Sequence, residues 1–332
     1  MLLMGLSEEQ LLAQFAATRK ASTQLAMAPT EQKQLVLHAL ASLLTEQSSQ
    51  ILAANQLDVD QMAFDNPMRD RLLLTTQRIQ DLADSVRDVA LLPDPSGQVL
   101  LHKTLANGLD LQKIAVPLGV VGVIYESRPN VTIDVAALCV RSGNAAVLRG
   151  GTDAWHTNQI LVSLIHQALQ KAEFPTDLVR LMPTDREHVQ TLLTAVKFID
   201  VIIPRGSDAL IQRVRRESLV PTIETGAGVC HTYVAESANI DMAVEIVVNA
   251  KVSRPSVCNS LDTILLHRSQ AQAFLKAVAS PLKASQVAIF ADTESFSILE
   301  KEEYPTLHQA QEADFGREYL DYACSVKVVA DL

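Results

Sequence analysis

Between residues 116 and 151 the chain reads strand, helix, strand, and that order constrains the fold more than any other stretch. Val120–Tyr125 is a β-branched run interrupted by Gly122, the pattern of a buried parallel strand that another backbone approaches closely. Residues 132–140 are apolar and predict a helix, Ser142-Gly143-Asn144 predicts a turn, and residues 145–148 predict a second buried strand. A tight hairpin cannot join parallel neighbours, so two buried strands separated by a helix close as a βαβ unit. The second strand ends in Arg149-Gly150-Gly151, where an open α/β sheet presents its ligand crevice. The plain alternative is a βαβ unit with no ligand.

The flanking sequence fits a doubly wound α/β protein. Residues 7 to about 91 are helical in pattern, with punctuation at Ala28-Pro29-Thr30 and Asp65-Asn66-Pro67, and the Leu92-Pro93-Asp94-Pro95-Ser96-Gly97 cluster ends the block. Asn107-Gly108 between alternating residues predicts a β-hairpin near 99–118. Strand patterns at 178–182 and 198–203 alternate with helical ones, which implies a parallel sheet. Near residue 230 a second α/β block begins, with a strand at 231–235, a helix at 241–250 and a strand at 263–267. Another strand pattern covers 322–329. The expected domains are 1–228 and 229–332, with the crossover through the turn at 224–228 and no low-complexity linker.

A chain of 332 residues exceeds one typical core, which supports two domains. A net charge of −10 argues against bulk nucleic-acid binding, and no apolar run is long enough to span a membrane. The basic cluster Arg213, Arg215 and Arg216 reads as a solvated helix face diluted by Glu217. Four dispersed cysteines without C-x-x-C spacing disfavour zinc and a disulfide framework and suit a reducing cytoplasm.

Among those cysteines, Cys139 and Cys324 lie in apolar runs and read as core. Cys258 follows Lys251, Arg254 and Pro255 and precedes a strand. A thiol reacts as thiolate, and cationic neighbours favour that form, so Cys258 is the candidate nucleophile. Inert packing is the competing reading for any cysteine. Cys230 is the rival, since it follows a Gly-rich turn; its neighbour His231 points to the opposite face of a strand and does not complete a dyad.

The 116–151 stretch with its Ile-Tyr-Glu-Ser-Arg-Pro-Asn-Val-Thr wording, the Pro204-Arg-Gly-Ser207 turn, the Glu224-Thr-Gly-Ala-Gly-Val-Cys-His231 run and Arg254-Pro-Ser-Val-Cys-Asn259 carry a resemblance. Together they closely resemble the γ-glutamyl phosphate reductases (glutamate-5-semialdehyde dehydrogenases) of the aldehyde dehydrogenase superfamily. The resemblance runs in order along the chain. It implies an aldehyde-dehydrogenase-like α/β fold, with a Rossmann-type NADP-binding domain and an α/β catalytic domain. Relatives of this kind continue beyond position 332, which implies a missing C-terminal part of the catalytic domain. A chain truly ending at Leu332 is expected to keep the nucleotide-binding fold, reduce substrate poorly and associate abnormally.

The implied reaction is NADPH-dependent reduction of L-glutamyl 5-phosphate to L-glutamate 5-semialdehyde, with release of phosphate through a Cys258 thioester. It is the second step of proline biosynthesis from glutamate. The resemblance also implies a cytoplasmic homo-oligomer that uses the 99–118 hairpin for association, with functional coupling to glutamate 5-kinase. By the same resemblance Asn130 donates to the carbonyl oxygen; a gapless alignment puts Glu126 there instead, and an Asn capping the next helix is the structural alternative. Gly206 and Ser207 face the cofactor pyrophosphate, Arg149 pairs with its 2′-phosphate, and Glu224 joins the cofactor set, because a reductase needs no hydrolytic base. Arg128, Lys251 and Arg254 are candidate cations for the substrate phosphate and α-carboxylate. Two other readings stay open: an NAD-dependent aldehyde dehydrogenase that hydrolyses its thioester with Glu224, and an impaired truncated member that only binds nucleotide or partners.

Overall fold

The computed structural model describes residues 6–331 apart from Asp65, Pro67, Met68, Thr225 and Ala227. The expected break at Asp65 and Pro67, and two positions of the crossover turn, therefore lie outside the described residues. The chain divides into two compact units, residues 1–225 and 226–332.

The first unit opens with helices α1 (Glu8–Ala26), α2 (Thr30–Glu46), α3 (Ser48–Val59), α4 (Arg69–Leu72) and α5 (Thr76–Leu91). Ser7 starts α1 through a capping box: its hydroxyl accepts the Gln10 amide while the Gln10 side chain accepts the Ser7 amide. Leu11, Phe15 and Leu25 of α1 and Val36, Leu40 and Leu44 of α2 point into one core. The hairpin follows as antiparallel β1 (Val99–Thr104) and β2 (Asp110–Ile114), with Gly108 at φ +83° in the turn. All of its strand residues are exposed.

Next come β3 (Val120–Tyr125), α6 (Pro129–Arg141), β4 (Ala145–Arg149), α7 (Trp155–Lys171), β5 (Val179–Leu181), α8 (Arg186–Thr194), β6 (Val201–Arg205) and α9 (Asp208–Glu217). The strands form a parallel sheet in the order β5-β4-β3-β6. Every residue of β3 is buried, as its unbroken apolar run requires of a strand covered on both faces. Gly122 packs under Ile202 and Ile199, where a Cβ would come within 3.4 Å of both. The strand expected from residue 198 begins at Val201, because Ile199 closes a turn onto the Ala195 carbonyl.

The second unit holds β7 (Cys230–Val234), α10 (Ile240–Val252), β8 (Leu261–His267), α11 (Ala271–Ala284), β9 (Ala288–Ala291), α12 (Thr293–Lys301), β10 (Leu307–Gln309) and β11 (Ala323–Val329). Its sheet is parallel with order β10-β9-β11-β8-β7, so the last strand lies inside the sheet. Among the described residues, no helix is long and apolar enough to cross a membrane.

Candidate active site

In the first unit the strand order itself marks a crevice. From β3 the chain builds outward through β4 and β5, then returns to the other side of β3 as β6. Open parallel sheets bind ligands outside the carboxyl ends of their strands at such a reversal. Tyr125 of β3 pairs with Arg205 of β6, which brings the next residues, Glu126 and Gly206, side by side. Ser207, the residue that precedes α9, donates its backbone N–H to the Glu126 carboxylate at 2.9 Å and its hydroxyl at 3.3 Å. A helix N-terminus favours an anion, and here the carboxylate stands in for one. Gly206 makes the approach possible, since a Cβ there would fall 2.5 Å from Glu126 Oε2. The chemistry of this turn fits the oxygens of a phosphate.

Glu126 thus sits on the turn. Its carboxylate is engaged by both Ser207 donors. Asn130 is exposed on the first turn of α6, and its amide donates to Asp134 at 3.0 Å. Burial raises the Asp134 carboxyl, and the Asn130 hydrogen bond opposes that shift. The capping alternative for Asn130 does not hold: Arg128 is the N-cap and Pro129 fills the first helical position. Arg128 is half-buried there. Arg149, at the end of β4, donates to the Thr184 carbonyl at 2.6 Å, so its guanidinium lies at the carboxyl end of the sheet. Glu224 is ion-paired with Arg215, and Arg213 with Glu217 at 3.0 Å.

Two features of this crevice had no counterpart in the sequence reading. Ser127 adopts φ +40° and donates its hydroxyl to Asp153, tying the end of β3 to the loop after β4. Behind it, Tyr125, Thr132 and Asn158 form a buried hydrogen-bonded chain, with the Thr132 hydroxyl 2.6 Å from the Tyr125 hydroxyl and 2.7 Å from Asn158 Oδ1. The Gly150-Gly151 pair was the available signal: Cβ atoms there would meet Asn158 and Asp153 within 2.3 Å, so both glycines admit a polar side chain against the backbone, and without coordinates the side chain is anonymous.

The second unit carries the thiols. Cys258 is exposed, in a turn between α10 and β8. Cys230 is half-buried, and Cys139 and Cys324 are buried, with burial pushing each of those two thiols up to about 12. The backbone at Gly228 passes so close that a Cβ would sit 2.8 Å from the Cys258 carbonyl oxygen. His231 donates from Nδ1 to the Val229 carbonyl at 2.8 Å, turned to its own backbone.

Lys251 requires a correction. It is fully buried, and its ammonium donates to the Leu261 carbonyl at 2.7 Å and the Ala323 carbonyl at 2.9 Å, joining the starts of β8 and β11. Burial lowers its affinity for the proton, and the negative charge of Asp262 nearby works the other way. A buried ammonium committed to two carbonyls is a strut in the sheet, not a cation offered to a substrate. The spacing held the clue: Ala243, Val247 and Lys251 recur every four residues, and all three are buried on one face of α10. Arg254, by contrast, is exposed.

A profile of the aldehyde dehydrogenase family matches residues 4–313. A γ-glutamyl phosphate reductase from Chlorobium phaeobacteroides (strain BS1) is 47% identical over 327 residues, covering 98% of this chain and 78% of the relative. One from Proteus mirabilis (strain HI4320) is 46% identical over 320 residues, covering 95% and 76%. The crystal structure of γ-glutamyl phosphate reductase from Thermotoga maritima matches with a TM-score of 0.86 at 35% identity, covering 97% of this chain and 77% of that one. The chain therefore spans about three quarters of the length of the relatives it matches.

Proposed function

The chain belongs to the aldehyde dehydrogenase family of oxidoreductases, and we propose that it reduces L-glutamyl 5-phosphate to L-glutamate 5-semialdehyde with NADPH. Relatives 43–48% identical are named γ-glutamyl phosphate reductase, and the observation that carries the reading is that Cys258 alone among the four cysteines is exposed. Cys258, as thiolate, attacks the carbonyl carbon of the acyl phosphate. The C–S bond forms, and phosphate leaves with the electron pair of the C–O bond it breaks. The resulting thioester is a better hydride acceptor than a carboxylate. Members of this family use nicotinamide cofactors, and NADPH held by Gly206 and Ser207 would supply the hydride, with Arg149 meeting its 2′-phosphate.

Release of the aldehyde breaks the C–S bond and returns the thiolate. Negative charge builds on the carbonyl oxygen in both addition steps, so donors aimed there lower both barriers. The Cys258 backbone N–H is one proposed donor. The Asn130 amide is the other, since its nitrogen carries a second hydrogen besides the one given to Asp134. Arg128 and Arg254 are the proposed substrate cations, and Lys251 is withdrawn from that set.

The test runs in reverse, with purified protein oxidising L-glutamate 5-semialdehyde in the presence and absence of inorganic phosphate. Turnover is expected only with phosphate and faster with NADP than with NAD. Cys258→Ser should lower it by roughly 10³-fold or more, as removal of a nucleophile does. Turnover that ignores phosphate would instead mark a hydrolytic aldehyde dehydrogenase.

A further inference from the structure

Cys230 is the conspicuous residue that this chemistry leaves without a task. Its thiol lies 3.5 Å from the Cys258 carbonyl oxygen. Two residues earlier, the position a Cβ would take on Gly228 is 3.7 Å from the Cys258 Cβ, so residues 228–230 run alongside the Cys258 backbone. The pairing of β7 with β8 is irregular here: Cys230 pairs with Leu261 but His231 with Thr263, leaving Asp262 as the extra residue. Bulges of this kind re-aim side chains beside functional sites. The Asp262 carboxylate accepts the Cys230 N–H at 3.2 Å and the Tyr319 N–H at 2.9 Å, which pins the Cys230 backbone. Cys258, in contrast, sits in an irregular turn, held by Ser260 N–H donating to Val257 at 3.0 Å. A thiol on a pinned backbone therefore lies against the backbone of an exposed cysteine, on a turn that has no strand ladder to break.

We propose that Cys230 is a resolving thiol: when a peroxide oxidises Cys258, Cys230 captures it as a reversible intramolecular disulfide. The inference rests on Cys258 being the reactive thiol of the proposed reaction. In the first step the Cys258 thiolate attacks one peroxide oxygen; the S–O bond forms, the O–O bond breaks and hydroxide leaves, giving sulfenic acid. In the second, the Cys230 thiolate attacks the Cys258 sulfur; the S–S bond forms, the S–O bond breaks and hydroxide leaves, taking a proton to become water. The net change is two thiols and one hydrogen peroxide to one disulfide and two waters. An external dithiol reverses it. The order of attack follows from exposure: Cys258 is exposed and Cys230 half-buried, and burial, then the negative charges of Asp262, Cys258 and Glu318, push the Cys230 thiol above its ordinary value, so Cys258 meets peroxide first. Conversion of Cys258 to neutral sulfenic acid removes one of those charges. Cys324, also in this unit, is fully buried and does not compete.

The experiment treats the protein with hydrogen peroxide without substrate, blocks free thiols with N-ethylmaleimide and maps peptides by mass spectrometry without reduction. A Cys230–Cys258 linked peptide is expected, with activity lost and then restored by dithiothreitol. In Cys230→Ser the loss should become irreversible, with Cys258 carrying sulfinic or sulfonic acid; Cys230→Ala serves if the serine variant fails to fold. Absence of the linked peptide, or equal accumulation of sulfinic acid at Cys258 in wild type and variant, would overturn the proposal. The peptide map needs no turnover. An untreated protein that fails to reduce glutamyl phosphate but still forms the disulfide would therefore sink the function and leave this inference standing.

Discussion

A single missing Cβ sets the position of the candidate nucleophile. At Gly228 any side chain would begin 2.8 Å from the Cys258 carbonyl oxygen, and the obstacle is backbone, which does not swing aside as the tip of a flexible side chain would. Gly206 faces a milder obstacle, since the group it would strike is the end of the Glu126 side chain, which has room to turn away. Gly228→Ala should therefore push the Cys258 segment off its present path without unfolding the unit. Misplacement of a reacting atom by about 1 Å can lower rates by roughly 10²-fold, so kcat should fall by about 10- to 10²-fold with a smaller change in KM. Steady-state kinetics and the rate of Cys258 alkylation measure this together. Unchanged values of both in a folded variant would show that the turn tolerates the shift and that Gly228 does not position Cys258.

At the scale of elements, the short segment 92–98 joins the helical block to the hairpin, and one carboxylate holds it. Asp94 Oδ2 accepts Lys33 Nζ at 2.9 Å and the Thr30 hydroxyl at 3.0 Å, while Oδ1 accepts the Ser96 N–H at 2.9 Å. Arg141, in the last turn of α6, donates to the Leu92 carbonyl at 2.8 Å and closes the knot. Lys33 is 1% exposed, so the Asp94 carboxylate takes the place of the water its Nζ has lost. Burial alone would raise the Asp94 carboxyl, but the Lys33 ammonium, the Ser96 amide and the Thr30 hydroxyl outweigh it and hold the group below its ordinary 3.8. A depressed carboxyl stabilises the fold above its unfolded value, and that contribution disappears as pH falls through the folded value. Asp94→Ala, which strands a buried lysine, should cost about 3 kcal/mol near neutrality. The gap from wild type should begin to shrink as pH falls below 3.8 and close further through the lower folded value, where the native carboxylate takes up its proton. Urea unfolding at pH 7 and pH 3 decides it; a gap that does not change with pH would assign the stability to packing.

Over the whole chain, the first unit was the more legible, for a physical reason. Its strands are β-branched runs buried on both faces, such as Val120–Tyr125, and its turns carry Gly, Asn and Pro. Within 268–321, β9 and β10 gave no signal because they are only 4 and 3 residues long and Ala-rich or polar, whereas α11 carries a legible helical spacing in Phe274, Leu275, Val278 and Leu282. At the candidate site, Cys258 and the Gly206–Ser207 turn became candidates through the resemblance their short motifs carry. The contacts of Glu126 with Ser207 and of Cys230 with Cys258 arise from strands that become neighbours only in the folded sheets, so no window of sequence contains them. The hairpin poses the remaining question at this scale. A two-stranded hairpin alone is at best marginally stable in water, yet here Val99, Leu100 and Leu101 are 54%, 58% and 49% exposed and Leu109 and Leu111 are 61% and 47% exposed. An apolar surface of this kind suits contact with another apolar surface. If that surface belongs to a second copy, as the resemblance implies, Leu101→Glu with Leu111→Glu should lower the mass measured by light scattering. Far-UV circular dichroism should stay the same, because neither side chain belongs to a core. Retention of the wild-type mass would exclude the hairpin as the contact between subunits.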